Sequence, residues 1–487
     1  MNKWLKFVLV VMICCTLFYT VYAPRHNEMP QHVDSWILLG IVDRAMETGY
    51  YPYTQPWSEG GWFYPPGSHL LTSVAVQLTD LDIYLVSEMF PAILFVILGL
   101  LQYWLAKGLF DSDTAGLSVM AFTTLVFSNI TIMGNYYLVP LSFGIILTFL
   151  CFNAFIRERW ILLLVSFAAV GFTHSSTVIF AFMTMALFFA FNRRFWRKLV
   201  YLGLIIGVLA FLLHQTRFLF SMLSISFIRS FFFIAKERPY QSFFLFVTFL
   251  FVILYSIGFF VIAIKERRAR RFLIPILGFL SIDIFLYWRD LGMLLPYRRL
   301  FYYIIVFTPF FVGYGVYVIS DLLTTLLRTG ERKRLSKLRF YYFISCSKLM
   351  LIILLLLLVP MAVYFNQKSH PSLIYVTNAE HRLLSGFGKM HPQEFLATNH
   401  LQAYALPVYD LRPVQLSPMH VTNISHYPEL SPCFYSRDIG CMTRFFNESD
   451  GKYRYLYTQT LVNSTHFVPA FNCSGLVIYE FIANKSV

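Results

Sequence analysis

Asp34 stands in Gln31-His32-Val33-Asp34-Ser35-Trp36, just beyond the first apolar run of the chain, where a carboxylate sits near a membrane surface. There it can accept a proton, or serve simply as a solvated loop acid. Two tyrosine-proline patterns follow, Gly49-Tyr50-Tyr51-Pro52 and Tyr64-Pro65-Pro66-Gly67-Ser68-His69. Much further on, Arg298 and Arg299 follow Pro296-Tyr297 at the mouth of another apolar run. Guanidinium groups pair with phosphate oxygens, and they also snorkel to lipid headgroups. Arg217 offers the same chemistry more weakly. His174, in Gly171-Phe172-Thr173-His174-Ser175-Ser176, falls at the tip of an apolar hairpin, while His69 and Asp283 fall near the ends of apolar runs. Polar side chains at such positions either line a cavity or are satisfied within the local packing.

The elements that must position these residues are membrane spans. The 487 residues are 57% hydrophobic and only 13% charged, with a mean hydropathy of +0.61. Apolar runs near the ~20 residues that cross a bilayer recur along the chain, about eleven in all. They fall at about 4–22, 83–106, 115–133, 138–156, 160–173, 175–191, 199–213, 242–264, 272–287, 300–320 and 349–365. The formal net charge of +14 is concentrated in short loops: Arg157/Arg159, Arg193/Arg194/Arg197/Lys198, Lys265 to Arg271, and Arg328 to Arg339. With Lys3 and Lys6 placing the N-terminus in the cytoplasm, each cluster falls on the cytoplasmic side, as the positive-inside rule requires. The charge therefore reads as topology and not as a nucleic-acid surface. The first run also resembles a signal peptide, with Val21-Tyr22-Ala23 before a cleavage site that Pro24 would hinder; retention gives the eleven spans.

Two external segments interrupt the hairpins. The first, 23–82, is long and rich in Trp, Tyr, Pro and Gly, and it holds Asp34, Tyr64 and His69. The second, His214 to Gln241, alternates aromatic residues with Arg217, Arg229, Lys236 and Arg238, a pattern suited to the headgroup region. Residues 1–365 thus read as a transmembrane domain and 366–487 as a small extracytoplasmic domain, α/β or mostly β, with strand-like pieces at Tyr453–Leu461 and Gly475–Ile482. Cys433 and Cys441 bracket a short loop there, with Cys473 nearby, a usage compatible with a disulfide in an oxidising compartment or with unpaired small hydrophobes. Asn423, Asn447, Asn463, Asn472 and Asn484 each begin an Asn-x-Ser/Thr sequon, which suggests glycan attachment.

The pattern running from Asp34 to Tyr-Pro-Pro-Gly-Ser-His, over about His32 to Val76, resembles the GT-C superfamily of integral-membrane glycosyltransferases, which includes oligosaccharyltransferases and protein mannosyltransferases. The resemblance implies a GT-C-like helical domain and a sugar donor carried on a polyprenyl phosphate or pyrophosphate. The acceptor is a glycan, lipid or protein. Members carry an active-site acid in the first external loop, and Asp34 matches it. A base there takes a proton from the incoming hydroxyl as the lipid phosphate departs, and a single in-line displacement inverts the anomeric centre. Cations are needed where the leaving phosphate develops charge, and Arg298, Arg299, Arg217 and His174 are the candidates by chemistry and position. Tyr64, His69 and Asp283 are further cavity candidates.

This sequence departs from the oligosaccharyltransferases in two places. The loop after the third span reads Gly134-Asn135-Tyr136-Tyr137, without a second acidic pair, and Trp-Trp-Asp is absent. Asp111-Ser112-Asp113 has the look of a metal-binding Asp-x-Asp, but its cytoplasmic placement reads as the cap of the third span. No cofactor is expected, and a divalent metal is not favoured. Walker A, dinucleotide-binding and Ser-His-Asp patterns are missing. The rival to a glycosyltransferase is a lipid or sugar transporter or flippase, which would carry internal repeats and broken helices. A non-catalytic scaffold presenting the C-terminal domain is a third reading. A multi-pass plasma-membrane location is expected, with the endoplasmic reticulum as the alternative.

Overall fold

The computed structural model describes residues 3–22, 33–49, 66–126, 137–190, 249–289, 297–331, 376–398, 402–413, 438–449, 453–458 and 464–482, with isolated positions between them. In chain order the helices are α1 (Lys3–Tyr22), α2 (Val33–Thr48), α3 (Gly67–Thr79), α4 (Ile83–Phe110), α5 (Asp113–Phe122), α6 (Pro140–Ile156), α7 (Trp160–Thr173), α8 (Ser175–Ala190), α9 (Phe249–Ile264), α10 (Arg267–Trp288), α11 (Tyr297–Glu331), α12 (Asn378–Met390) and α13 (Ile439–Glu448). The strands are β1 (Phe395–Ala397), β2 (Arg412–Pro413), β3 (Tyr455–Tyr457), β4 (Phe467–Cys473) and β5 (Leu476–Phe481). The expected spans at 199–213 and 349–365, and the segment His214 to Gln241, lie outside the described residues, apart from Gly203.

The chain divides into two compact units. The first comprises Met1–Pro24, Phe90–Tyr136 and Pro140–Pro371 and is built of apolar helices. Lys3–Tyr22, Ile83–Phe110 and Arg299–Leu322 are long and apolar enough to cross a membrane, and Pro140–Ile156, Trp160–Thr173, Ser176–Phe188 and Val252–Ile264 are shorter apolar helices. Here α9 packs on α11, α5 on α11, and α6 on both α7 and α8. The third expected span is α-helical only to Phe122 and then tightens into a 3-10 turn, Thr123–Leu125. The cause is local: the Thr124 hydroxyl donates to the Ala121 carbonyl, and Thr123 Oγ1 donates to Gln102 Oε1 at 2.6 Å, drawing both side chains into bonds that compete with helix continuation.

Several buried polar side chains in this unit tie helices together, because an unmade hydrogen bond in an apolar interior is expensive. Gln102 also donates Nε2 to the Val306 carbonyl at 2.8 Å, so one amide joins α4, the turn after α5, and α11. Asn153 donates to the carbonyls of Leu101 and Phe149. At the start of α5, Ser112 accepts from the Ala115 amide as the N-cap. Asp113 takes ion pairs from Lys6 at 2.9 Å and Lys107 at 2.8 Å, and a hydrogen bond from Tyr103 at 2.6 Å. Asp111-Ser112-Asp113 is thus a capping and ion-pairing turn, as its position in the sequence implies.

The second unit comprises Arg25–Met89, Tyr137–Val139 and Ser372–Val487, so the long first loop and the C-terminal segment fold together. Its sheet has the order β2-β1-β3-β5-β4. β1 runs parallel to β2 and β3, and the β3-β5 and β5-β4 pairs are antiparallel. Strand alternation sorts the core into two layers. Tyr455, Tyr457 and Ile478 join Leu383, Leu384 and Phe387 of α12 on one face, and Leu456, Val477 and Tyr479 join Met442, Phe445 and Phe446 of α13 on the other. The α12 layer also receives Trp36, Ile37 and Ile41 from α2, with Trp36 fully buried. The Ser474-Gly475 turn between β4 and β5 has positive φ at both residues, the geometry a tight hairpin needs and glycine eases. This is a helix-flanked mixed sheet, the α/β form of the two anticipated for the C-terminal region.

Candidate functional site

Asp34 lies in the first turn of α2, at the end of the helix where backbone amides favour negative charge. Packing explains why a helix forms in a loop rich in turn residues. Residues 35–42 of α2 are buried, with Trp36 against Tyr84 (6.1 Å between ring centroids) and Tyr409 (6.0 Å). The α3 helix packs beside α2, and His69, 1% exposed, is in its first turn just after Pro66. Asp34 and His69 are thereby carried on first turns of two helices that pack together. Tyr64 lies outside the described residues.

Lower on α2, Asp43 is half-buried, and desolvation raises its carboxyl to about 6, with further repulsion from Glu47 and Asp410 and a smaller opposing pull from Arg44. Nearby, the His381 ring stands edge-on to Tyr84 (5.0 Å), and its Nδ1 is 3.1 Å from the Tyr409 hydroxyl. Sequence reasoning passed over Asp43; its place nine residues after Asp34, within one amphipathic run, was the available signal.

In the helical unit, His174 occupies the turn between α7 and α8 and is 6% exposed. Its Nδ1 lies 3.0 Å from Ser176 Oγ, which lies 3.2 Å from the Tyr303 hydroxyl. Tyr303 stacks on Phe180 at 4.2 Å and is fully buried. One helical turn before Tyr303 is Arg299, whose charge acts on both His174 and Tyr303. Burial, reinforced by that charge, lowers the His174 imidazole to about 3, which keeps it neutral at ordinary pH. Gly144 lets the turn approach α6: a Cβ there would stand 2.6 Å from Thr177 Oγ1 and 2.9 Å from the His174 Cβ. His174 and Arg299 are thus brought together, with Ser176 and Tyr303 as members that sequence reasoning did not assign. For Tyr303 the signal was its i, i+4 spacing from Arg299, and for Ser176 its place two residues after His174.

Asp283 is fully buried on α10 and accepts the backbone N–H of Leu295 at 3.1 Å, fastening the connection that leads into α11. Arg298 shares the first turn of α11 with Arg299. Arg217 lies outside the described residues. Among the described residues no group of three or more His, Cys, Asp or Glu side chains is arranged to hold a metal ion. Cys433 and Cys441 form a disulfide, with a Cα separation of 5.5 Å. Asn447 and Asn472 are exposed, on the last turn of α13 and at the end of β4, while Asn423, Asn463 and Asn484 lie outside the described residues.

A bundle of apolar helices, in one chain with an α/β unit that incorporates the first loop, is the fold this chain shares with solved structures of an oligosaccharyltransferase and of ArnT. The likeness is to solved structures, since no family model and no curated protein matches the sequence. ArnT from Cupriavidus metallidurans bound to undecaprenyl phosphate aligns with a TM-score of 0.59 and 12% identity, covering 99% of each chain. Its apo form aligns with a TM-score of 0.55 and 14% identity over 97% of each chain. The Archaeoglobus fulgidus oligosaccharyltransferase in the apo form aligns with a TM-score of 0.58 and 13% identity, covering 94% of this chain and 70% of that one.

Proposed function

We propose that this chain is a membrane glycosyltransferase that takes a sugar from a polyprenyl-phosphate-class carrier and transfers it to an acceptor at the extracytoplasmic face. The observation that carries this reading is the alignment, end to end in both chains, with a structure whose bound ligand is undecaprenyl phosphate. Oligosaccharyltransferase likeness adds support for a lipid-linked donor. The acceptor is a glycan, a lipid or a protein.

Asp34 is the proposed base. It accepts the acceptor hydroxyl proton while the oxygen attacks the anomeric carbon and the carrier phosphate leaves from the opposite face, which inverts the anomeric centre. A carboxylate suits this work because it is ionised at neutral pH, and Trp36, Ile37 and Ile41 anchor its helix in the core. Arg298 and Arg299 are the proposed cations for the carrier phosphate. They sit in the first turn of a 35-residue helix, where guanidinium charge and backbone amides both favour an anion. No step calls for a metal. The C-terminal unit faces the oxidising side of the membrane in this reading, in keeping with the Cys433–Cys441 disulfide and the basic loops.

The test is transfer from a panel of polyprenyl-phosphate sugars by the full chain in nanodiscs. Asp34→Asn should lower turnover by about 10²- to 10⁴-fold with the donor still bound. Arg299→Ala should weaken donor binding. Unchanged turnover in Asp34→Asn would sink the assignment of the base, and a product of retained configuration would sink single displacement.

A further inference from the structure

Ser176 on α8 lies 3.0 Å from one imidazole nitrogen of His174, Tyr303 on α11 lies 3.2 Å from Ser176, and the charge of Arg299, one turn before Tyr303, acts on both His174 and Tyr303. We propose that Tyr303 and Ser176 are positioning residues that hold His174 in the neutral tautomer with its proton on Nε2, making it a hydrogen-bond donor to the carrier phosphate beside Arg299. This rests on the reading of Arg299 as a phosphate ligand.

The direction of the chain of hydrogen bonds follows from electrostatics. The Arg299 charge attracts the lone pairs of the Tyr303 oxygen and repels its proton, so the hydroxyl turns its hydrogen away. Among the described residues the Tyr303 hydroxyl has one hydrogen-bond partner, Ser176 Oγ at 3.2 Å. Once Tyr303 donates to Ser176, the single Ser176 proton goes to the remaining neighbour, His174 Nδ1 at 3.0 Å. A nitrogen that accepts in this way carries no proton, and in a neutral imidazole the proton is then on Nε2.

The scaffold around the relay holds its heavy atoms in place. Tyr303 is fully buried against Phe180, and Ser176 is 3% exposed. The His174 main chain is fixed by its own amide donating to the Val170 carbonyl at 2.9 Å and by Thr177 Oγ1 donating to the His174 carbonyl at 2.7 Å. The close approach of Gly144 removes the space into which the turn would otherwise relax. A neutral donor has a specific use at such a site. It adds a directed hydrogen bond to an anion that Arg299 already attracts, without bringing a second buried charge next to the first.

Nitrogen-15 NMR of the full chain in nanodiscs, labelled at histidine and assigned to His174 by difference with His174→Gln, reads the tautomer directly. Wild type should show Nδ1 unprotonated and Nε2 protonated. Ser176→Ala should mix the two tautomers and raise the dissociation constant for undecaprenyl phosphate about 3- to 10-fold. Tyr303→Phe should do the same more weakly, and Ser176→Thr should restore both properties. A protonated Nδ1 in wild type, or a tautomer indifferent to Ser176→Ala, overturns the relay. A tautomer that responds as expected while undecaprenyl phosphate binds wild type and Ser176→Ala equally overturns the phosphate contact. Loss of binding in Arg299→Ala with the relay signature absent separates a failed relay from a failed reading of the phosphate site.

Discussion

Gly258 of α9 and Gly315 of α11 meet backbone to backbone: a Cβ on Gly258 would stand 3.0 Å from the Gly315 nitrogen and collide with the Phe311 carbonyl, and one on Gly315 would collide with the Leu254 carbonyl. This mutual approach is how two apolar helices gain dispersion contact in lipid, where the hydrophobic effect does not drive them together. It holds α11, the helix whose first turn carries Arg298 and Arg299, against its neighbour.

Gly258→Ala and Gly315→Ala should each destabilise the protein by about 1–3 kcal/mol, the usual range for overpacking, because backbone atoms must move to admit the methyl group. Gly278→Ala is the matched control. It lies on α10 with open space where its Cβ would be, so alanine there should be neutral or stabilising by up to about 1 kcal/mol. Thermal unfolding in detergent distinguishes them. Equal behaviour of all three variants would contradict the tight crossing.

Asp43 gives the α/β unit a pH dependence of definite sign. Its carboxyl titrates at about 6 in the folded protein against roughly 4 in an unfolded chain, so the native state holds the proton more tightly. That contribution to stability is fully present below about pH 4, falls as pH rises through 6, and is lost above it. The largest possible effect is about 3 kcal/mol for a shift of roughly two units. Asp43→Asn should therefore flatten the stability profile between pH 4 and 6.5 and stabilise the unit at pH 7. A profile that keeps its slope in the variant would assign the titration elsewhere.

The Cys433–Cys441 bridge closes a short loop at the start of α13, with a sequence separation of 8. Closing a loop of that length restricts the unfolded chain by an amount worth about 2–3 kcal/mol. Cys441→Ser, or reduction of the wild type, should lower the stability of the α/β unit by about that much and speed its proteolysis. The reduced protein should also gain two alkylatable thiols, and alkylation without prior reduction that already counts them would rule the bridge out.

Some of this was legible because the signals are local. Apolar runs place α1, α4, α6, α7, α8, α9, α10 and α11, since hydropathy acts on each segment separately. Ser112 as a cap follows from the aspartate-flanked turn ahead of an apolar run. His174 and Arg299 stood out for their chemistry. Their connection did not, because Ser176 and Tyr303 are 127 residues apart. Asp43 was missed for the same reason: the desolvation and the Asp410 carboxylate that raise its pKa belong to packing.

By itself, the sequence determined that apolar runs recur along the chain, where those runs lie, and that Asp34 follows the first of them, because each depends on composition within a stretch of chain. The tertiary structure alone decided that the first loop carries a helix whose Trp36 joins the core of a sheet formed more than 350 residues later, and that His174 sits in hydrogen-bond register with Ser176 and Tyr303. Those facts depend on which surfaces find each other when apolar area is buried and polar groups are satisfied.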